Sequence, residues 1–362
     1  QVKRKAVKVE WEWDQASKNG HDYFMLKEII EGPEAIQSAA TQDKKHVMDV
    51  AMNILRAKQV IIAACGSSRY AALIGRYLFS QLASKFCDVV MASEFQYFAS
   101  SIDKHTVVIA VSQSGETLDV MEGVKLAKAK GAKIVSIVNV PGSSLARMSH
   151  KALYLNCGPE ICVAATKSFI SQLVIFYLLA FAMMNKLDQG VKKLKGLSVG
   201  INGSFAENSQ SLMTLADKLY DQGNFYYIAR GINFAMASEG ALKLKELSYI
   251  HAEGMPAGEL KHGTIALIEE GTPVVAICPN DETYHETISN AIETKARGAF
   301  IIGISDRYNE IYDEWIKVPE VEDIFYPLSV VLPLQLMAYY LAIRRGKDPD
   351  KPRNLAKSVT VK

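Results

Sequence analysis

The chain has 362 residues, of which 49% are hydrophobic and 22% charged, and its formal net charge is +2. This length and composition are typical of a large folded protein with two or more domains. Its 41 basic and 39 acidic side chains are mixed along the sequence without a basic stripe. Nucleic acid is therefore not supported as a partner.

The cysteines and the apolar segments indicate an intracellular protein. The longest unbroken apolar run, 173–184, is too short to span a bilayer and predicts a buried core helix. No signal peptide is recognised, so we expect no membrane and a cytoplasmic location. The start at Gln1 rather than Met suggests a piece of a longer polypeptide. Five cysteines without CxxC spacing predict buried thiols in a reducing compartment: Cys65, Cys87, Cys157, Cys162 and Cys278.

Residues 1–45 form a leader with two tryptophans, Trp11 and Trp13, and an apolar patch at 24–26. The segment has too few apolar residues for a core of its own. We expect it to pack across a neighbouring domain.

Strands and helices alternate in the first half of the chain, which predicts an α/β fold with a parallel sheet covered by helices on both faces. The predicted strands are 60–64, 89–92, 107–111, 133–138 and 152–155. The predicted helices are 69–82, about 118–130, and much of 163–187.

The same pattern restarts near residue 224. The strand 225–228 matches 60–64, the segment 259–262 matches 94–97, and the strand 273–278 matches 107–112. We interpret this as an internal duplication of one α/β unit. It predicts domains at 46–195 and 210–345, joined through the polar stretch 188–209, and a tail at 346–362. One site is expected, between the halves or across a dimer.

A polar loop follows the apolar strand 107–111 and precedes a predicted helix. It carries the side chains of Ser112, Gln113, Ser114 and Thr117 around Gly115. Hydroxyls and backbone N–H groups at a helix N-terminus are suited to an anion. Without a P-loop lysine or GxGxxG, a small sugar phosphate is a better candidate than a nucleotide. An ordinary turn with a Ser cap explains the loop equally well.

A second polar loop, with Cys65, Gly66, Ser67 and Ser68, follows the strand 60–64. Ligands of parallel sheets bind at the carboxyl ends of the strands, so both loops are expected at one edge. Taken alone, this loop is more simply a tight turn with a Ser cap.

Three charged residues share one face of the predicted helix 234–249: Glu239, Lys243 and Glu246 lie at i, i+4 and i+7. A solvated ladder of ion pairs is the usual meaning of this pattern. The dense apolar residues around them point the other way, to a partly buried site where a lysine keeps a carboxylate base ionised, but the solvated ladder is the simpler expectation.

Two further residues are candidates for chemistry. His262 lies in Gly-Glu-Leu-Lys-His-Gly, a context that predicts an exposed or cleft-lining side chain, although a lone histidine is more often structural. In the tail, the apolar series Leu355, Val359 and Val361 is suited to docking, which would place Lys357 in a cleft. A lysine there can form an imine with a carbonyl, although a solvated lysine is the simpler expectation.

No spacing of His, Cys and Asp resembles a metal site, and neither a metal nor another cofactor is expected.

Taken together, the motifs resemble the isomerase part of glutamine:fructose-6-phosphate amidotransferase (glucosamine-6-phosphate synthase), built of two tandem sugar isomerase (SIS) domains. The resemblance starts in the leader at His-Asp-Tyr-Phe-Met-Leu-Lys-Glu-Ile and reaches the last residues. The other motifs are Cys-Gly-Ser-Ser, Ser-Gln-Ser-Gly-Glu-Thr, Asn-Val-Pro-Gly-Ser-Ser, Glu-Ile-x-Val-Ala-x-Thr-Lys, Ala-Leu-Lys-Leu-Lys-Glu, Gly-Glu-Leu-Lys-His-Gly and Pro-Arg-Asn-Leu-Ala-Lys-Ser-Val-Thr-Val.

The resemblance implies fructose 6-phosphate as substrate and glucosamine 6-phosphate as product, the first step of amino-sugar synthesis. It implies that His262, from the neighbouring subunit of a homodimer, opens the sugar ring. Lys357 would hold the open ketose as an imine, and Glu246 would move a proton from C1 to C2. Lys243 and Glu239 would tune the charge. The implied sugar-phosphate contacts are Cys65, Gly66, Ser67, Ser68, Ser112, Gln113, Ser114, Thr117, Val163 and Ala165.

Two features depart from the family. Ala165 stands where a serine is usual, and the amino-terminal glutaminase domain is not in this chain. The chain alone is thus expected to isomerise fructose 6-phosphate to glucose 6-phosphate and to use free ammonia, without hydrolysing glutamine. A SIS-type deglycase of fructosamine 6-phosphates and a non-enzymatic sugar-phosphate sensor are the alternatives.

Overall fold

A computed structural model of the chain describes Trp11 and residues 16–360, apart from the side chains of 204–207. Trp13 and Val361 lie outside the described residues. Trp11 is exposed.

The first lobe is a five-stranded parallel sheet in the order β2-β1-β3-β4-β5. Its strands are β1 (Gln59–Ala64), β2 (Asp88–Met91), β3 (Thr106–Val111), β4 (Lys133–Val138) and β5 (Lys151–Tyr154). The strands predicted in this half are confirmed to within a few residues.

The second lobe repeats this sheet. Its strands are β6 (Asn224–Ala229), β7 (His251–Pro256), β8 (Pro273–Ile277), β9 (Phe300–Ser305) and β10 (Glu314–Lys317). The order β10-β9-β8-β6-β7, taken from the other edge, is the order of the first lobe, and all neighbours are parallel. The predicted duplication and the three-layer α/β fold class are confirmed.

The described helices are α1 (Phe24–Ile30), α2 (Gly32–Ala39), α3 (Lys44–Arg56), α4 (Gly66–Ala83), α5 (Phe95–Phe98), α6 (Leu118–Ala129), α7 (Ser144–Met148), α8 (Lys167–Met183), α9 (Leu187–Leu219), α10 (Asn233–Ser248), α11 (Tyr284–Lys295) and α12 (Tyr326–Arg344). Short 3₁₀ turns at Ala92–Glu94 and Ala257–His262 follow the equivalent strands β2 and β7, as the matched segments predict.

The core lies in three parts because alternate residues of each strand point to opposite faces. In β1, Val60 and Ile62 face the central core, whereas Ile61 and Ala63 face an outer core with α6. The second sheet is covered on its outer face by α11 in the same way. Between the sheets, α4, α8, α10 and α12 contact one another and form what we call the central layer. This layer belongs to both lobes.

The polar stretch 188–209, expected to be the connection between domains, lies between the lobes as part of the helix α9, which has 33 residues. Its buried side chains recur at helical spacing, with Leu194, Ile201, Leu212 and Leu215 at most 1% exposed. The polar residues between them belong to the opposite face of an amphipathic helix. The connection between the lobes is therefore helical, which its polar composition did not indicate.

The apolar helices are core elements. Every residue of α8 is buried, as predicted for the run 173–184. Among the described residues, one helical stretch, Asp323–Arg344, is long and apolar enough to cross a membrane. Because 89% of its most apolar part is buried within the protein, packing in the central layer accounts for its composition.

The end of the leader joins the central core. Met25 and Ile29 of α1 and Ile36 of α2 are at most 1% exposed. The carboxylate of Asp350 accepts hydrogen bonds from the N–H groups of Phe24 (3.0 Å) and Met25 (2.8 Å), so the tail caps α1. Leader and tail are thus joined at the start of the first helix.

Gly254→Ala tests the close approach of β7 to α10. A Cβ on Gly254 would lie 2.5 Å from the Ser238 Cα and 2.6 Å from the Ala237 oxygen, both backbone atoms that cannot rotate away. We expect the free energy of unfolding to fall by about 1–3 kcal/mol. The control Gly196→Ala, on α9 with nothing near its Cβ, should gain about 0.5–1 kcal/mol. Denaturant unfolding measures both, and equal stabilities would contradict the packing argument.

Candidate active site

A cavity of about 260 Å³ lies at the carboxyl ends of β1 and β3. It gathers every residue predicted to contact the substrate and also Lys243, Glu246 and Lys357. The full lining is Cys65, Gly66, Ser67, Ser68, Val111, Ser112, Gln113, Ser114, Thr117, Val163, Ala165, Lys243, Glu246, Lys357 and Val359. Residues far apart in sequence, from both lobes and the tail, therefore meet in one place.

The loop 112–117, called the cradle loop below, is ordered by its own hydroxyls. The oxygens of Ser112 and Thr117 lie 2.8 Å apart, and the Gly115 N–H donates to the Ser112 hydroxyl at 3.1 Å. Thr117 precedes α6 but makes no side-chain cap on it. The alternative of an ordinary Ser cap is therefore wrong for this loop, since its hydroxyls bond to one another or to N–H groups within the loop.

The Asn-Val-Pro-Gly-Ser-Ser segment supports the cradle loop from behind. Gly115 has φ +66°, and a Cβ there would lie 2.2 Å from the Ser143 hydroxyl oxygen. Glu116 accepts a hydrogen bond from the N–H of Ser144 at 2.7 Å. Gly115 is thus required both by its backbone conformation and by the close approach of Ser143.

The loop with Cys65 also differs from a capped turn. The helix α4 already begins at Gly66 and has no side-chain cap. The Ser67 hydroxyl donates to Glu239 at 3.0 Å, and the Ser68 hydroxyl accepts from Gln172 at 2.9 Å. The Ser-cap expectation was wrong because both hydroxyls face neighbouring helices of the central layer.

The charged face of α10 is buried, so the solvated ladder was the wrong alternative. Glu239 and Lys243 have side chains 1% exposed, and Glu246 is 22% exposed. The Lys243 ammonium donates to Glu246 and lies 3.7 Å from Glu239. The helix α10 packs against α12, β7 and α4, which accounts for this burial. The ammonium of Lys243 is therefore the shared ion-pair partner of the two carboxyl groups, Glu239 and Glu246.

This imbalance decides which carboxylate keeps a proton. Burial, with a further contribution from Glu246, raises the pKa of Glu239 to about 8, although Lys243 opposes the shift. Burial alone would lower the pKa of Lys243, but the two carboxylates raise it. With its raised pKa Glu239 keeps its proton at neutral pH, which leaves the Lys243 ammonium paired with Glu246. The partly exposed carboxylate of Glu246 is the one available as a base.

The tail enters the cavity through polar contacts. Lys357 pairs with the buried Glu160, with 2.5 Å between the Nζ and Oε2 atoms. The Ser358 hydroxyl lies 3.2 Å from that of Ser114, and the Val359 carbonyl accepts the Leu118 N–H at 3.1 Å. The solvated lysine was therefore the wrong alternative.

The apolar series was expected to dock the tail, and for Leu355 and Val359 this expectation was wrong. Leu355 is 45% exposed and Val359 50% exposed, while Val361 lies outside the described residues. The start of the tail is fixed by Asp350, and Arg353 stacks on Tyr249 with 4.3 Å from its guanidinium carbon to the ring centroid. Ion pairing, stacking and backbone hydrogen bonds hold this segment.

Two predicted residues do not line the cavity. Glu239 lies behind Ser67, to which it is hydrogen bonded. His262 is exposed at the end of the 3₁₀ turn Ala257–His262. Among the described residues, no group of His, Cys, Asp and Glu is arranged to hold a metal ion.

Comparison with known proteins agrees with the duplicated fold. The SIS domain family matches residues 53–182 and 218–345, one match in each lobe. The chain belongs to the SIS domain family.

Two curated relatives of this SIS protein share one name. The chain is 46% identical to a glutamine--fructose-6-phosphate aminotransferase [isomerizing] of Thermococcus kodakarensis, over 99% of the chain and 62% of the relative. The protein of the same name from Pyrococcus horikoshii is 44% identical, over 99% of the chain and 61% of the relative. The chain therefore spans about three fifths of the length of these relatives.

A solved structure matches the tandem SIS domains as a whole. The C-terminal domain of glucosamine-fructose-6-phosphate aminotransferase from Francisella tularensis is 33% identical, with a TM-score of 0.85. The match covers 93% of this chain and 100% of that one. The resemblance given by the sequence motifs is confirmed.

Sequence reasoning gave no role to Glu160, which is fully buried beside the cavity-lining Lys357. The sequence feature that could have drawn attention to Glu160 is its place as the first residue of the motif Glu-Ile-x-Val-Ala-x-Thr-Lys. Nothing in the spacing connects that motif to a lysine 197 positions later. Only the path of the tail brings the two side chains together.

Glu239→Gln tests the protonation of the buried carboxyl group. The folded pKa of Glu239 is raised, so its contribution to stability is present below the unfolded pKa and is lost as pH rises toward 8. The amide of the variant does not titrate and has no such loss. We expect the variant's stability relative to the original protein to rise by about 3 kcal/mol from about pH 5 to about pH 8.

Thermal and denaturant unfolding across this pH range measure the difference. The control Glu310→Gln changes an exposed carboxylate and should give a flat difference. A flat difference for Glu239→Gln as well would show that Glu239 is ionised in the folded protein.

Proposed function

We propose that this chain is the isomerase part of a glutamine–fructose-6-phosphate aminotransferase, which forms glucosamine 6-phosphate from fructose 6-phosphate and ammonia. One observation carries the proposal: the cradle loop, the carboxylate of Glu246 and the amine of Lys357 line a single cavity. The names of the relatives support the same substrate.

The phosphate is assigned to the cradle loop. Backbone N–H groups before α6 and the hydroxyls of Ser112, Ser114 and Thr117 form an oxyanion site. Gln113 lines the same end of the cavity, with Ser67 and Ser68 on its other side. Phosphate held there directs the sugar carbons toward α10 and the tail.

The chemistry is assigned to three side chains. His262 of a neighbouring subunit opens the sugar ring, and Lys357 holds the open ketose as an imine until ammonia displaces it. Glu246 then removes a proton from C1 of the fructosimine and returns it to C2, which converts the ketose imine into the 2-amino aldose. One base must reach both carbons of the planar enolamine for this transfer.

The surrounding groups tune that base. Lys243 pairs with Glu246, and Glu239 remains neutral, so the lysine's charge is balanced by one carboxylate. Val163 and Ala165 form the wall beside the sugar. Because Ala165 has no hydroxyl, backbone groups supply any sugar contact at this position.

The proposal also includes partners outside the chain. Each subunit of a homodimer would lend His262 to the other, which explains why this exposed residue has no place in the cavity of one chain. A glutaminase domain would supply ammonia in the longer protein, since the relatives extend beyond the region matched here. We assign the protein to the cytoplasm.

Glu246→Gln should lower the formation of glucosamine 6-phosphate from fructose 6-phosphate and ammonium salt by about 10²- to 10⁴-fold. The amide preserves the shape of the side chain but cannot accept a proton. Product chromatography measures the rate, and Glu253→Gln, an exposed change on β7, is the control. An unchanged rate in Glu246→Gln would remove Glu246 from the mechanism.

Removal of residues 353–362 separates the enzyme from a sugar-phosphate sensor. The enzyme loses Lys357, so synthesis should fall below detection, whereas a sensor would retain its affinity for fructose 6-phosphate and have no activity to lose. Calorimetric binding and the product assay give both readouts. Leu355→Ala, exposed on the tail, should behave as the original protein.

Release of fructose 6-phosphate from fructosamine 6-phosphate by the intact chain would indicate the deglycase instead.

A further inference from the structure

Glu160 is a fully buried carboxylate whose partner is the imine-forming lysine of the proposed function. The side chain of Glu160 is 0% exposed and that of Lys357 is 26% exposed. Their Oε2 and Nζ atoms are 2.5 Å apart. The carboxylate lies behind the cavity lining, and the lysine reaches the cavity itself.

The first turn of α8 fixes both oxygens of this carboxylate. Oε1 accepts the N–H groups of Thr166 at 2.9 Å and Ser168 at 3.0 Å, and Oε2 accepts the Ser168 hydroxyl at 2.7 Å. Burial opposes the ionised form, but Lys357 and these hydrogen bonds lower the pKa of Glu160 to about 2. Glu160 is therefore an immobile negative charge.

The loop that carries Glu160 is held on two further sides. Glu28 of the leader accepts the N–H of Ile161 at 2.6 Å and that of Cys162 at 3.3 Å. The Val163 N–H donates to the Asp350 carbonyl at 3.2 Å, which ties the loop to the start of the tail. These contacts fix the position of the loop, and so of Glu160, independently of the part of the tail that carries Lys357.

The chemistry of imine formation needs a fixed amine and a lasting counter-ion. A lysine side chain has four rotatable methylenes and loses much conformational freedom when its amine is held at one point. Overall, R–NH₃⁺ and the C2 carbonyl give R–NH⁺=C and water, so both hydrogens of the water come from the ammonium. The positive charge remains on nitrogen. A carboxylate that stays ionised stabilises both the ammonium and the protonated imine.

We propose that Glu160 is a positioning residue for Lys357, which holds the amine nitrogen at the cavity wall and remains the counter-ion of the protonated imine. The proposal rests on the proposed function, in which Lys357 forms that imine with the ketose. Glu160 acts through Lys357 and needs no contact with the sugar.

Reductive trapping with sodium borohydride tests the proposal directly. Borohydride converts a Lys357 imine of fructose 6-phosphate into a stable secondary amine, which mass spectrometry locates on the tail peptide. Glu160→Gln keeps the size of the side chain and removes its charge. We expect trapping in this variant to be at least about ten-fold slower than in the original protein.

A matched control is available at the same end of α8. Glu31 pairs with the buried Lys167 at 2.6 Å and does not contact Lys357. Glu31→Gln therefore removes a lysine–glutamate pair without changing the tail lysine, and its trapping rate should equal that of the original protein. Equal slowing in Glu31→Gln and Glu160→Gln would indicate general damage and overturn the proposal.

Steady-state kinetics separate positioning from folding. Because the cradle loop is intact, Glu160→Gln should change the KM for fructose 6-phosphate by less than about three-fold while kcat falls at least about ten-fold. Glu160→Asp, which restores the charge on a shorter side chain, should recover part of kcat. If Glu160→Asp and Glu160→Gln lose kcat equally, the charge has no positioning role and the proposal is wrong.

The outcomes distinguish this proposal from the function on which it rests. Absence of trapping at Lys357 in the original protein would overturn the imine mechanism, whatever Glu160 does. Trapping in the original protein with the same rate in Glu160→Gln would leave the imine mechanism intact and overturn the role of Glu160 alone.

Discussion

The central layer of helices, buried between the two sheets, fixes where the parts of the site meet. It places α10 of the second lobe against α4 of the first, so that Ser67 donates to Glu239 across the boundary between lobes. A polar group in such a layer is tolerated only with a partner. The buried lysine and its two carboxylates are therefore a constraint on packing as well as a source of charge.

The two copies of the α/β unit differ in what their equivalent loops can bind. The first carries the paired hydroxyls of the cradle loop after β3. In the equivalent loop after β8, Asp281 accepts hydrogen bonds from Thr283 and Asn233 instead. The polar side chains of this loop are therefore already hydrogen bonded within the protein. Under the proposed function, the duplicated backbone supplies one anion site and one catalytic helix. Divergence of side chains on a repeated frame explains a single site in a molecule with two similar halves.

Much of the fold could be predicted because apolar periodicity and loop chemistry agree along the chain. Strands such as β3 and the cradle loop after it follow from local patterns. The burial of Lys243 and the role of Glu160 do not, since both depend on contacts between segments distant in sequence. The helix α9 was missed because its polar face dominates its composition, and the tail was assigned the wrong contacts because its exposed valine and leucine resemble docking residues.

The shared core has a consequence for how the molecule comes apart. Side chains of both sheets and of α4, α8, α10 and α12 belong to one continuous apolar cluster. Separating the two lobes would expose that cluster on each of them, and loss of apolar burial weighs heavily against the marginal stability of a folded domain. The halves, although each has a complete sheet, therefore melt as one cooperative unit, and neither is an independent module for dissection.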